Sequence, residues 1–192
     1  PAWLVANYGD DNARAMLAVA VAAATWPTDR WDERLMRALL ANLRTTGKLG
    51  FRGDRIDLPA LAKNGWKFYY QGETVNCSPH YESYLWACYL WAWQHTGFRP
   101  FLDRTRTAIT MTMKAYPGQW LWQNNIERAR MLLCLAWLVR VEDTPEHREW
   151  LNRVAGDLLA CQQASGAIHE RLGRATGGGF QAPQRNEDYG TG

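Results

Sequence analysis

A phrase of acid, Ala-Arg and long apolar run occurs twice in this chain. Asp11-Asn12-Ala13-Arg14-Ala15-Met16-Leu17 returns as Glu127-Arg128-Ala129-Arg130-Met131-Leu132-Leu133. Ser78-Pro79-His80-Tyr81-Glu82 opens a third apolar run with an acid near its start. Carboxylates, an imidazole and a phenol are the groups that move protons in enzymes. In both copies of the phrase the arginine follows the acid by three residues, so acid and guanidinium share a helical face. An arginine neighbour favours the ionised form of a carboxylate. Asp11 with Arg14 and Glu127 with Arg130 therefore read as base-like or structural ion pairs. Glu82 has Tyr81, Tyr84 and Trp86 around it, a setting that favours the protonated form and suits a general acid. Asp10 fits a helix cap better than Asp11 does, which leaves Asp11 freer for chemistry. His80 beside Tyr81 is a possible base and acid for proton abstraction next to a uronate carboxyl, or else a hydrogen-bonded histidine at a helix start.

The elements that must position these groups are helical. Apolar periodicity and caps predict six helices in three pairs. They group as hairpins over about 10–46, 78–115 and 125–165, followed by a loop over 166–192. Trp26-Pro27-Thr28 breaks the first pair, Gly97 the second, and Thr144-Pro145-Glu146 caps and opens the last helix. The first helix of each pair is apolar nearly all round and must be covered on every side. The second is amphipathic and faces water. Inner and outer layers of a repeated helical hairpin follow. Links within pairs are short, whereas 47–77, 116–124 and the stretch from 166 onward are long. All long links then lie at the N-terminal ends of the inner helices, with the acids and with Trp66, Tyr69, Tyr70, Trp120 and Trp122. Long connections in a compact domain are often functional. Trp66, Trp120 and Trp122 are candidate platforms for flat apolar ligand faces, or loop anchors.

Composition narrows the partners. The chain has 192 residues, 47% hydrophobic, with net charge +3 and eleven tryptophans. Its basic residues are dispersed arginines with four lysines, at 48, 63, 67 and 114, which argues against a nucleic-acid surface. No apolar run reaches membrane-spanning length. The four cysteines lack zinc spacing, and Gly177-Gly178-Gly179 lacks the strand and lysine of a phosphate loop, so no metal, nucleotide or haem is expected. The chain opens at Pro1 without a methionine and closes in a glycine-rich loop, which reads as a piece of a longer protein.

Three segments carry a resemblance: Tyr8-Gly9-Asp10-Asp11-Asn12-Ala13-Arg14, Ser78 through Ala87, and Gly166-Ala167-Ile168-His169-Glu170. With the alternating hairpins, they make the chain similar to the six-hairpin glycosidase superfamily. The resemblance implies an all-α fold: an array of three αα-hairpins forming part of an (α/α)6 toroid, with the remaining hairpins supplied by the same chain. It implies a carbohydrate-active enzyme whose cleft lies at the N-terminal ends of the inner helices, and favours a periplasmic or extracellular location. The expected substrate is an oligo- or polysaccharide. Glycoside hydrolysis uses two carboxyl groups flanking the scissile bond. Glu82, Asp11 and Glu127 are the catalytic candidates. His80, Tyr81, Trp66, Trp120, Trp122, Arg14, Arg130 and Glu170 are the substrate-binding ones, with His169 beside Glu170. The alternatives are a polysaccharide lyase or sugar epimerase using His80 and Tyr81, and a non-catalytic helical-repeat module that binds a partner.

Overall fold

A computed structural model describes residues 6–26, 29–53, 55–121 and 123–168. Within them the chain is mostly helical. The order is β1 (Ala6–Tyr8), α1 (Gly9–Thr25), α2 (Asp32–Arg44), β2 (Arg55–Asp57), α3 (Leu58–Gln71), α4 (Pro79–Thr96), α5 (Arg99–Lys114), α6 (Asn125–Val141) and α7 (Pro145–Leu159).

Local chemistry accounts for most boundaries. Pro79 and Pro145 each occupy a first helical position, where no backbone donor is lost. Asn124 caps α6 by accepting the Glu127 N–H at 2.8 Å, and Thr144 caps α7 by accepting the His147 N–H at 3.1 Å. Gly97 ends α4 at φ 66°, a conformation that glycine adopts without penalty.

Helix α4 lies between α1 and α6 and packs extensively on both. Among the outer helices, α2 packs on α1, α5 on α4 and α7 on α6. The core forms two clusters that meet at α4. One joins α1, α2 and α4 through Met16, Leu39, Leu85 and Tyr89. The other joins α4 to α7 through Trp86, Leu90, Ile109, Leu135 and Val154. Burial of side chains this large stabilises by roughly 1.5–3 kcal/mol each.

Three expectations need correction. The stretch 47–77 is not all loop: it holds β2 and α3, so the described residues contain seven helices rather than six. Helix α3 buries no residue and is broken at Gly65, so it carries no core-facing stripe by which to be recognised. The last helix also stops at Leu159, not near residue 165, because turns occupy the stretch that follows. Likewise α2 spans Asp32–Arg44, shorter at both ends than the periodicity suggested.

Strands β1 and β2 pair antiparallel, with Asn7 opposite Ile56 and Tyr8 opposite Arg55. This small ribbon ties the start of α1 to the long connection after α2. Gly50 fixes the same connection: its φ is 84°, and a Cβ there would lie 2.0 Å from the Arg104 carbonyl oxygen. Its own carbonyl accepts the Trp86 indole N–H at 3.0 Å. The connection is thereby held against α4 and α5.

Candidate functional site

Helices α1, α4 and α6 bring their first turns together, and each contributes a buried carboxylate. The three carboxylates have different partners.

Asp10, in the first turn of α1, is a hub. Its Oδ2 pairs with the Arg14 guanidinium on its own helix, lies 3.3 Å from Arg130 Nη1 of α6, and 3.8 Å from His80 Nε2 of α4. Arg130 Nη1 also donates to the His80 carbonyl at 2.6 Å, and its guanidinium lies 5.2 Å from the Tyr84 ring centre. The Tyr81 ring stands edge-on to His80 at 5.1 Å. Three helices thus converge on one carboxylate. Burial, reinforced by Arg130, lowers the His80 imidazole from 6.5 to about 4 against the opposing pull of Asp10. At neutral pH His80 is an uncharged imidazole that can accept a proton.

Glu82, in α4, is fully buried. The Arg52 N–H donates to both its oxygens, at 3.1 and 3.2 Å, and the Gly53 N–H donates to Oε1 at 2.6 Å. Burial raises its carboxyl from 4.5 to about 7, outweighing these donors, which favour the charged form. The direction agrees with the general-acid expectation, but Glu82 here fastens the 52–53 turn. Glu127, in α6, is equally buried. It accepts the Ser78 hydroxyl at 2.8 Å and the Gln123 N–H at 2.8 Å. It fastens the connection before α6 to the start of α4.

The sequence-based assignments are redistributed accordingly. Tyr8 is the residue before α1 and Gly9 its first member, so Asp10 turns inward and Asp11 outward. Asp11 has a side chain 63% exposed and lies 3.2 Å from Arg14, apart from the buried cluster. Arg130, expected on Glu127, reaches across to Asp10. Glu82, expected to lack an arginine close in sequence, takes the Arg52 main chain from thirty residues away. Trp120 is no ligand platform, because it is 2% exposed and its indole N–H donates to the Thr112 carbonyl at 2.8 Å. Trp66 lies on α3, 42% exposed, with its ring against Tyr70, Arg44 and Lys67. Trp122, His169 and Glu170 lie outside the described residues.

Four residues, Asp10, Ser78, Arg52 and Gly53, have roles that the sequence does not assign them. Asp10 was placed as a cap, although its spacing of four from Arg14 is as good a pairing signal as the spacing of three from Asp11. Ser78 stands at the cap position of α4, yet its hydroxyl donates to Glu127 rather than capping the helix. Nothing in the sequence around Arg52 and Gly53 marks a main-chain role. At the opposite end, the His147 ring contacts the Glu142 carbonyl at 2.7 Å and His95 lies against Trp91, in keeping with structural roles. No helix among the described residues is long and apolar enough to cross a membrane, and none of their His, Cys, Asp and Glu side chains form a group suited to a metal ion. No family model, curated protein or solved structure matches the chain.

Proposed function

We propose that this chain belongs to a carbohydrate-active enzyme built on an (α/α) toroid, with Asp10, His80, Tyr81, Arg14 and Arg130 as its reacting centre. The observation that carries the reading is the uncharged His80 imidazole, set against Asp10 between two guanidinium groups, where three helix starts meet. This is the constellation for abstracting a proton beside a sugar carboxylate. The imidazole takes the ring C–H proton, and the released electron pair forms the new C=C bond. The glycosidic C–O bond breaks, and the Tyr81 hydroxyl supplies a proton to the leaving oxygen. Arg14, whose side chain is half exposed, and Arg130 stabilise the carboxylate that gains charge on the way. The class is a polysaccharide lyase acting on uronate-containing glycans.

A second reading, glycoside hydrolysis, is favoured by one observation: Glu82 is raised to about 7, the range of a general acid. It requires the Arg52–Gly53 turn to leave the carboxylate before substrate can reach it. Asp11 and Glu127 are then its other carboxylates.

The test is turnover on a panel of polyuronates, followed by the ultraviolet absorbance of the unsaturated product and by new reducing ends. The lyase reading expects both signals together, and expects His80→Gln to abolish both. New reducing ends without unsaturation, lost in Glu82→Gln, establish hydrolysis instead. Full activity in His80→Gln overturns the proposed centre.

A further inference from the structure

We infer that the outward face of α3 is a docking surface for an acidic polysaccharide chain, lying on the same end of the fold as the Asp10–His80 centre. The inference rests on the reading of that centre as acting on uronate glycans, and extends it to a surface outside the centre.

Helix α3 buries none of its residues, yet it carries large rings: Trp66 is 42% exposed and Phe68 is 62% exposed. A core helix hides such side chains, and rings grouped on one short helix form a patch rather than scattered single residues. Tyr70 and Tyr69 support the two rings edge-on, at 5.7 and 5.3 Å. Gly65, with φ 72° and ψ 162°, breaks the helix just before Trp66, so the rings follow a turn rather than one continuous stripe. Sugar rings present apolar C–H faces that pack on exposed aromatic surface.

Charge supplies the second argument. Three of the four lysines in the chain, Lys48, Lys63 and Lys67, lie on α3 or on the turn beside its C-terminal end. Arg44 lies 5.7 Å and Lys67 5.9 Å from the Trp66 ring centre. The nearby acids are already matched, Glu73 by Lys48 at 3.4 Å and Asp57 by Arg55 at 3.8 Å. Lys63, Lys67 and Arg44 make no ion pair among the described residues. Arg44 and Lys67 therefore set positive charge against the exposed Trp66 ring, complementary to a polymer of sugar carboxylates. Arginines and lysines elsewhere in the chain are dispersed rather than gathered into the extended basic stripe of a nucleic-acid surface. A membrane-seated helix presents one unbroken apolar face, and Gly65 interrupts this one.

Position connects the face to the centre. Strand β2 runs directly into α3 and pairs with β1, which runs directly into α1 and Asp10. A chain lying on α3 is thus anchored to the element that carries the reacting centre.

The experiment is affinity electrophoresis and calorimetry of the whole chain with polygalacturonate, against a neutral glucan. The expected result is binding to polygalacturonate that weakens with added salt and little binding to the glucan. Lys63→Ala with Lys67→Ala, and separately Trp66→Ala with Phe68→Ala, each weaken binding about tenfold or more, the effect of roughly 1.4 kcal/mol. Because α3 buries nothing, the circular dichroism of both variants matches the parent. Made in the His80→Gln background, the same two double variants weaken binding to the same extent, so loss of turnover at the centre leaves the docking result standing. Absence of binding at low salt, or unchanged binding in both double variants, overturns the inference. Tighter binding to phosphatidylglycerol vesicles or to single-stranded DNA overturns it in favour of a membrane or nucleic-acid partner.

Discussion

Replacing Glu82 by Gln separates the cost of its charge from the shape of its site. Glu82 is fully buried, and its carboxyl is raised from 4.5 to about 7 because burial outweighs two main-chain donors, the Arg52 and Gly53 N–H groups. An acid whose folded value lies above its unfolded value binds a proton more tightly in the folded state. Its stabilising contribution is complete below about pH 4.5 and is lost as pH rises through about 7. At about 1.4 kcal/mol for each pH unit, the loss is about 3 kcal/mol. Glutamine keeps the volume and one acceptor oxygen and does not titrate. Urea unfolding of both proteins between pH 4 and 8 measures the difference directly. The parent is expected to lose about 3 kcal/mol relative to Glu82→Gln across that range. A stability difference that stays constant with pH refutes the reasoning, because it means that Glu82 titrates alike in the folded and unfolded chains.

The other expectations concern the remaining partners. The His80 imidazole, lowered to about 4, contributes stability that is present above about pH 6.5 and lost as pH falls through about 4. Its ring carbon resonance in NMR should not move between pH 8 and 5, and a midpoint near 6.5 contradicts the site's geometry. Ser78→Ala removes the hydroxyl from Glu127 and should cost about 1–3 kcal/mol in urea unfolding, since a buried carboxylate loses a donor. Asn124→Ala removes the cap of α6 and should cost about 1 kcal/mol. Trp120→Phe should cost about 1 kcal/mol of stability through its lost hydrogen bond and leave glycan binding unchanged, which separates an internal anchor from a ligand platform.

The inner and outer helices were legible because each leaves a physical trace in the sequence. Trp86 to Leu90 in α4 is apolar without interruption, as a helix covered on every side must be, and Pro79, Gly97 and Asn124 mark ends. Helix α3 leaves no such trace, since none of its residues is fully buried, only Tyr70 packs against the core, and Gly65 sits in its middle. The site was half legible. Local spacing points to the first turns of three helices, where Asp10, Glu82 and Glu127 lie buried, and hydrophobic surroundings agree with the direction of the Glu82 shift. What spacing cannot supply is which way a first-turn acid points. The β1–β2 pairing sets where α1 begins, and a shift of one residue exchanges Asp10 for Asp11 as the inward group. The reach of Arg130 to Asp10 and of the Arg52 main chain to Glu82 are contacts between distant segments, and no local pattern encodes them.

The central claim is that Asp10, His80 and Arg130 form the reacting centre. Its most direct test is turnover of polyuronate by the parent, His80→Gln and Asp10→Asn, with folding checked by circular dichroism. The account predicts an unsaturated product from the parent and none from either folded variant. It is contradicted if the variants form product as fast as the parent, or if the parent yields none from any uronate-containing glycan.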